Sequence, residues 1–211
     1  MGLKNLSGIQ MDVLREIGNI GAGNAATSMS TLINKRIDMK VPTVEIVSFD
    51  EIINIIGGPE QLIVALLFKI YGEAPGSVYF ILGVEEAESL VKEIVNDPEF
   101  RLISDKQPSE LSISVLEEIG NIMTGSYLSA LSDFTNLKMQ PSIPYLSIDM
   151  AGAILTAGLV ELSQVTDYAI IINTRINHFA SEEGIEGNFF LIPDPASFKK
   201  LYASLGINGH G

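Results

Sequence analysis

The chain has 211 residues, and its 46% hydrophobic content is sufficient for a substantial folded core. Its 26 acidic and 13 basic residues give a formal net charge of −13, which disfavours binding to nucleic acid or to an anionic membrane surface. The absence of cysteine excludes disulfides and thiolate chemistry, and two histidines are too few for a histidine-based triad or a multi-histidine metal site. The N-terminus lacks the long apolar stretch of a signal peptide, so we expect a soluble, cytoplasmic protein with no membrane insertion.

The periodicity of the first half predicts one long helix followed by shorter elements. Apolar residues at helical spacing predict a helix over Gly8–Ile33, and a short strand, Thr43–Ser48, follows a proline. A second helical stretch, two strands that pair as a hairpin and a last helix complete this half. Their predicted bounds are Asp50–Ile56, Leu62–Tyr71, Gly76–Leu82 and Val84–Ile94.

The second half follows the same order. The predicted elements are a helix at Ser109–Thr135, a strand at Tyr145–Ile148, a helical stretch at Met150–Leu162, strands at Tyr168–Asn177 and Gly187–Ile192, and a helix at Pro195–Leu205. Strands this short and few in each half need each other to bury a face. The sequence therefore predicts one α+β domain with pseudo-twofold symmetry, in which α-β-α-β-β-α occurs twice around a largely antiparallel six-stranded sheet. The repeats span about 8–96 and 109–205, with a linker at 96–108 between them and a flexible tail at 206–211.

An internal duplication explains this order. When the chain is shifted by 102 positions, the pentapeptide EIGNI at Glu16–Ile20 meets its second copy at Glu118–Ile122. The residues that meet identical partners across both halves include Val13, Leu14, Glu16, Ile17, Gly18, Asn19, Ile20, Gly23, Ser30, Asn34 and Pro42. Asp12 instead meets Ser114.

Each long helix carries a polar stripe beside an aliphatic one. Residues at positions i, i+4 and i+7 share a helix face, which aligns Asp12, Glu16, Asn19 and Gly23, and likewise Ser114, Glu118, Asn121 and Gly125. The aliphatic stripe, predicted to be the core face, consists of Val13, Ile17 and Ile20 with Val115, Ile119 and Ile122. We therefore expect the glutamates and asparagines to reach solvent.

Two structural explanations compete with a functional one for this polar stripe. An isolated glutamate–asparagine pair is usually a solvated remnant of an amphipathic helix, because glutamate is a common helix former. Here both copies keep the pair although Gly18 and Asn19 weaken a helix interior, while Arg15 has diverged to Glu117. Close helix packing through Gly18 and Gly23, with a buried asparagine, would explain the glycines but leaves the carboxylate unexplained.

A dinucleotide-binding motif is not a good explanation of Gly21–Ala26. The letters GAGNAA fit the pattern GxGxxA, but that fingerprint works directly after a strand, where it opens a helix towards a pyrophosphate. Here the preceding residues have helical periodicity, and the second copy reads MTGSYL.

Taken with their prolines, the two stripes are similar to a known signature. Asp12-x3-Glu16-x2-Asn19-x22-Pro42 and Ser114-x3-Glu118-x2-Asn121-x22-Pro144 resemble the motif of the CheC/CheX/FliY phosphatases of bacterial and archaeal chemotaxis. The resemblance spans nearly the whole chain, because the duplicated α/β layout also matches. It implies removal of phosphate from the aspartyl-phosphate of the response regulator CheY.

By this resemblance, Glu16 and Asn19, and equally Glu118 and Asn121, reach into the active site of the regulator. The regulator supplies Mg²⁺ and the phosphorylated aspartate, so the protein needs no metal or cofactor of its own, and its task is to orient a water in line with phosphorus. A carboxamide can both donate and accept hydrogen bonds for this purpose, while the carboxylate pairs with a lysine of the regulator. Asp12, Ser114, Pro42 and Pro144 are expected to be supporting positions.

The resemblance also implies a second partner, the receptor deamidase CheD. The segment Ile148–Leu162 is rich in small residues and could offer CheD a flat helical face, or its alanines and glycines could serve only tight packing against the sheet. A non-catalytic adaptor that regulates CheY or CheD by binding is the alternative function. The intact glutamate–asparagine pairs favour catalysis, because an adaptor has no need of them.

Overall fold

A computed structural model describes residues 8–104, 107–156, 168–178 and 184–204. Its helices are α1 (Gly8–Ile33), α2 (Phe49–Ile55), α3 (Val84–Val95), α4 (Glu110–Thr135), α5 (described over 151–156) and α6 (Pro195–Ser204). Its strands are β1 (Ile37–Lys40), β2 (Val44–Ser48), β3 (Leu62–Gly72), β4 (Gly76–Gly83), β5 (Ile103–Ser104), β6 (Gln107–Pro108), β7 (Met139–Pro141), β8 (Tyr145–Met150), β9 (Tyr168–His178) and β10 (Ile185–Pro193). The predicted tail at 206–211 lies outside the described residues.

One antiparallel sheet contains eight of these strands, and it has six positions across its width. The order is β1 with β2, then β9, β10, β4, β3, and finally β7 with β8, while β5 and β6 form a separate hairpin. The six predicted strands are all present, and the antiparallel α+β duplication is confirmed. The prediction missed β1 and β7, the short strands before the prolines, and also the hairpin of β5 and β6 within the predicted linker at 96–108. It placed Met150 in a helix although this residue ends β8.

The two halves exchange their outer strands. β1 and β2 come from the first half but pair with β9 of the second, and β7 and β8 come from the second half but pair with β3 of the first. The central contact, between β4 and β10, also joins the halves. Each half therefore completes the sheet edge of the other, as the predicted pseudo-twofold arrangement requires.

Both faces of the sheet are covered, which makes three layers. Alternate residues of β4 point to opposite sides: Val78, Phe80 and Leu82 pack with α1 and α4, whereas Tyr79 and Ile81 pack on the side of α2 and α5. All five side chains are at most 3% exposed. α1 and α4 also pack against each other on their side of the sheet. No helix in the described part of the chain is long and apolar enough to cross a bilayer.

Equivalent asparagines end the two long helices. Asn34 follows α1 with φ 52°, and Asn136 follows α4 with φ 57°, both in the left-handed region that asparagine tolerates better than most residues. At its start, α4 is capped by Ser109, whose side chain accepts a hydrogen bond of 3.1 Å from the Ser112 backbone N–H. The retention of Asn34 and Asn136 in both repeats thus has a purely structural reason.

The contact between α1 and α4 breaks the pseudo-symmetry. Tyr127 of α4 lies over Gly21 of α1, and the Tyr127 hydroxyl forms a 2.8 Å hydrogen bond with the Thr174 hydroxyl of β9. The Tyr127 ring also contacts Phe189, with ring centroids 4.6 Å apart. Burial raises the pKa of Tyr127 to about 12, so this phenol stays neutral. One glycine and one tyrosine therefore set how closely the two site-bearing helices approach.

We expect Gly21→Ala to destabilise the protein by about 1–3 kcal/mol, because the added methyl overfills this contact. A Cβ at Gly21 would lie 2.5 Å from Tyr127 Cδ1 and 3.0 Å from Tyr127 Cα, so rotation of the ring alone cannot relieve the overlap. Chemical denaturation measures the free energy of unfolding. Gly23→Ala is the matched control, since a Cβ there meets nothing within 4 Å. Equal stability of the two variants would contradict the assigned contact.

Candidate active site

The polar stripe of α1 faces solvent over its whole length. Asp12, Glu16, Asn19 and Gly23 are all exposed, whereas Ile17 is only 3% exposed. On α4 the pattern repeats: Ser114, Glu118 and Asn121 are exposed and Gly125 is half-buried. The predicted exposure of the two glutamates and two asparagines is therefore confirmed.

None of these four side chains is engaged within the described part of the chain. Glu16, Asn19, Glu118 and Asn121 make no hydrogen bond or ion pair with any described residue. The packing explanation required asparagines that are buried and satisfied inside the protein, so the structure contradicts it. The side chains remain available to a molecule outside the fold.

The predicted core face is partly wrong. Ile17 and Ile119 are buried, but Ile20 is 44% exposed, and Val13, Val115 and Ile122 are half-buried. In α1 the buried face is centred farther round the helix, on Leu14, Gly18, Ala22, Ala25 and Met29. Glycine and alanine dominate that face because they let the helix approach the sheet closely. Side-chain hydrophobicity alone therefore predicted residues at the edge of the buried face rather than at its centre.

The glycine before each asparagine allows its helix to pack closely against the sheet. A Cβ at Gly18 would lie 3.4 Å from Val41 Cγ1, and one at Gly120 would lie 2.8 Å from Leu66 Cδ2 of β3. These positions point away from the exposed stripe by geometry, since consecutive helical residues differ by about 100°. Gly18 and Gly120 thus set how closely α1 and α4 approach the sheet, and Asn19 and Asn121 lie on the outer sides of these helices.

Gly21–Ala26 lies in the middle of α1 rather than after a strand, so the dinucleotide motif lacks its structural context.

The two prolines lie in turns that divide the outer strands. Pro42 separates β1 from β2, and the Val41 before it is 7% exposed beneath α1. Pro144 separates β7 from β8, but the Ile143 before it is 88% exposed. The corresponding turns are therefore built differently: only the first packs its apolar residue under the helix.

Charges around the two pairs also differ. On α1, the Arg15 guanidinium forms a 3.0 Å ion pair with Asp12, one turn before Glu16. On α4, the corresponding positions hold Glu117 and Ser114, so the neighbouring cation is replaced by a carboxylate. The α4 site is accordingly the more acidic of the two.

The glutamate–asparagine pairs lie on exposed helix surfaces. An open groove of about 750 Å³ lies between the C-terminal half of α1 and β1, and its lining includes Gly23 but neither Glu16 nor Asn19. Among the described residues, no cluster of acidic or histidine side chains could hold a metal ion. An exposed carboxylate and carboxamide on a helix surface cannot enclose a small substrate. Such a pair is instead suited to enter a cleft of another macromolecule.

Comparison with known proteins assigns the family. The model of the CheC-like family matches residues 9–46 and 111–148, and each matched segment contains one glutamate–asparagine pair and its proline. A protein of Bacillus subtilis named CheY-P phosphatase CheC is 42% identical over 199 residues, which cover 94% of this chain and 95% of that protein. The chain belongs to the CheC-like family. The flagellar motor switch phosphatase FliY of the same bacterium is 26% identical over 68% of this chain and 37% of its own length.

Solved structures share the fold of this CheC-like protein. Thermotoga maritima FliY superimposes with a TM-score of 0.71 at 17% identity, covering 97% of this chain and 99% of the other. CheX in its complex with CheY, BeF₃ and Mg²⁺ from Borrelia burgdorferi gives a TM-score of 0.51 at 14% identity, covering 82% and 96% of the chains. At these identities the similarity concerns the arrangement of helices and strands.

Proposed function

We propose that this CheC-like protein is a hydrolase that removes phosphate from the aspartyl-phosphate of CheY. The observation that carries the proposal is the glutamate–asparagine pair that is exposed on both α1 and α4 and forms no hydrogen bond or ion pair with a described residue. The 42% identical Bacillus subtilis relative is named a CheY-P phosphatase, which supports the same activity in this chain. The related CheX fold was crystallised with CheY, which supports a regulator as the partner.

The chemistry requires little from the phosphatase. Mg²⁺ in the regulator neutralises charge on the phosphoryl group, so the remaining task is to place a water in line with phosphorus. Asn19 or Asn121 orients this water, because an uncharged carboxamide both donates and accepts hydrogen bonds. Glu16 or Glu118 pairs with a lysine of the regulator and sets the register in which the helix docks. No cofactor or metal of the phosphatase takes part.

The supporting positions act through the backbone and through local charge. Pro42 lies between β1 and β2, and Pro144 lies between β7 and β8; proline is suited to such breaks because it lacks a ladder donor. Asp12 holds Arg15 in an ion pair beside the α1 site. Ser114 carries no charge, so its role at the α4 site is limited to hydrogen bonding.

Loss of phosphate from CheY is the direct test of the proposed activity. Phosphorylated CheY is incubated with and without the protein, and the rate of phosphate release is measured. We expect a rate that rises with protein concentration and turns over many CheY molecules per phosphatase. Binding of phosphorylated CheY without faster hydrolysis would establish the adaptor function instead.

We also propose that CheD binds the side of the sheet opposite the catalytic helices, at α5. In its described part, Ala151 and Leu155 are buried and Gly152 packs against Pro59, which favours the packing explanation for these three residues. Ala153 is exposed and remains free to contact a partner. The rest of the predicted segment, 157–162, lies outside the described residues.

Ala153→Lys is expected to weaken CheD binding at least tenfold, because a long charged side chain interrupts a flat surface of small residues. Isothermal calorimetry with purified CheD measures the change in affinity. Hydrolysis of phosphorylated CheY by the same variant, in the absence of CheD, is expected to be unchanged. Normal CheD affinity would place the CheD surface elsewhere.

A further inference from the structure

Gly23 and Gly125 occupy equivalent interior positions of the two catalytic helices. Each lies well inside a helix of 26 residues, where glycine is markedly less favourable than alanine. The duplication kept both glycines although most of the neighbouring residues diverged. A destabilising residue at the same place in both copies calls for a physical reason.

Packing inside the protein does not provide that reason. A Cβ at Gly18, Gly21 or Gly120 would contact a neighbouring side chain, whereas a Cβ at Gly23 or Gly125 would meet no described residue within 4 Å. Backbone conformation does not provide it either, because neither residue has a positive φ. The described part of the fold therefore has room for a methyl group at both positions.

The location of the two glycines on their helices indicates that the reason lies in contact with another molecule. Gly23 follows Asn19 by four residues and Gly125 follows Asn121 by four, so each lies one turn farther along the same exposed face. A missing side chain beside a residue that enters another protein permits a close approach of that protein's backbone.

We infer that Gly23 and Gly125 are clearance positions, at which the surface of the phosphorylated regulator lies directly against the helix backbone. This inference rests on the proposed function and deepens it. Because this turn has no side chain, the helix approaches the regulator closely enough for the asparagine to contact the water at phosphorus. A side chain in place of the glycine would increase the distance to the regulator, so that the asparagine could no longer contact this water.

Single-site proteins provide the test. Asn121→Ala leaves α1 as the working site, and in this background Gly23 is replaced by alanine and by leucine. We expect the second-order rate constant for hydrolysis of phosphorylated CheY to fall about tenfold with alanine and a hundredfold or more with leucine, because small displacements of catalytic groups have large effects on rate. Gly125→Ala in the Asn19→Ala background is expected to behave likewise.

Stability is expected to move in the opposite direction. Alanine and leucine are better helix formers than glycine, so the midpoint of thermal unfolding should rise by about 1–4 °C for each replacement. Ser28→Ala, an exposed change 140° round α1 from Gly23, is the control and should keep the full rate. A more stable protein with a lower rate cannot result from damage to the fold.

The experiment distinguishes failure of the clearance role from failure of the proposed function. If the Asn121→Ala protein is active and the added Gly23→Ala or Gly23→Leu leaves its rate unchanged, the clearance role is wrong while the proposed function stands. If the protein with both asparagines intact does not accelerate hydrolysis at all, the proposed function itself is wrong. A fall in thermal midpoint on Gly23→Ala would also overturn the inference, since it would reveal a packing role.

Discussion

Replacement of both Asn19 and Asn121 by alanine is expected to abolish the acceleration of CheY dephosphorylation. In the proposed mechanism each asparagine positions a water, and loss of such positioning commonly amounts to a few kcal/mol of activation free energy, or roughly tenfold to a thousandfold in rate at each site. Either single replacement should leave partial activity, because the other helix still carries an intact pair. Single-turnover measurements of phosphate release separate these three variants.

The fold should survive both asparagine replacements. Both side chains are exposed and make no hydrogen bond with a described residue, and alanine is the better helix former. Asn24→Ala is a closely matched control: it makes the same chemical change on an exposed residue of α1, about 140° round the helix from Asn19. Full activity of the double variant would refute the mechanism and leave the adaptor function as the better account.

The sequence predicted most of the helices and strands because local signals mark them. The predicted ends of α1 and α4 coincide with the structure, where Asn34 and Asn136 terminate the helices in the left-handed conformation. The hairpin strands were recognisable from their runs of Val, Ile, Leu and Phe, which are typical of a sheet buried on both faces. β1 and β7 were missed because they are only four and three residues long and contain polar residues.

Which strands lie side by side could not be predicted in the same way. The exchange of outer strands joins β2 to β9 and β8 to β3, pairs that are far apart in the chain. Alternation of apolar residues shows which face of a strand is buried but not which strand is its neighbour. The duplication reduces the number of possible strand orders only by requiring that both halves exchange their outer strands in the same way.

The candidate site was predictable because the motif occurs twice, but its surroundings were not. Exposure of Asn19 and Asn121 follows from helical geometry, whereas exposure of Ile20 contradicts the simple apolar stripe. The buried face of α1 is rich in glycine and alanine, and a hydropathy pattern does not reveal that these small residues are buried. The contrast between buried Val41 and exposed Ile143 also has no signal in the sequence, since both precede the motif proline.

Charge reversal at the glutamate of the α4 site is expected to weaken docking rather than chemistry. Under the proposed mechanism, in an Asn19→Ala background where α4 is the working site, Glu118→Lys sets two like charges against each other at the lysine of the regulator. We expect KM to rise about a hundredfold and kcat to change much less, because Asn121, the residue proposed to orient the water, is untouched. Glu118→Gln, which removes the charge but keeps the shape, should raise KM by a smaller factor and reduce its dependence on salt.

A control for net charge is available on the opposite side of the sheet. Glu60 is exposed and precedes β3, near the Pro59 that packs against α5, so Glu60→Lys alters the total charge by the same amount far from α4. Its KM should stay within about twofold of the parent, since exposed charges separated by more than a Debye length of about 8 Å are screened. A large rise in KM for Glu60→Lys would show that the overall acidic surface steers the regulator. An unchanged KM for Glu118→Lys would remove the glutamate from the docking contact and leave Asn121 as the part of the motif that meets the regulator.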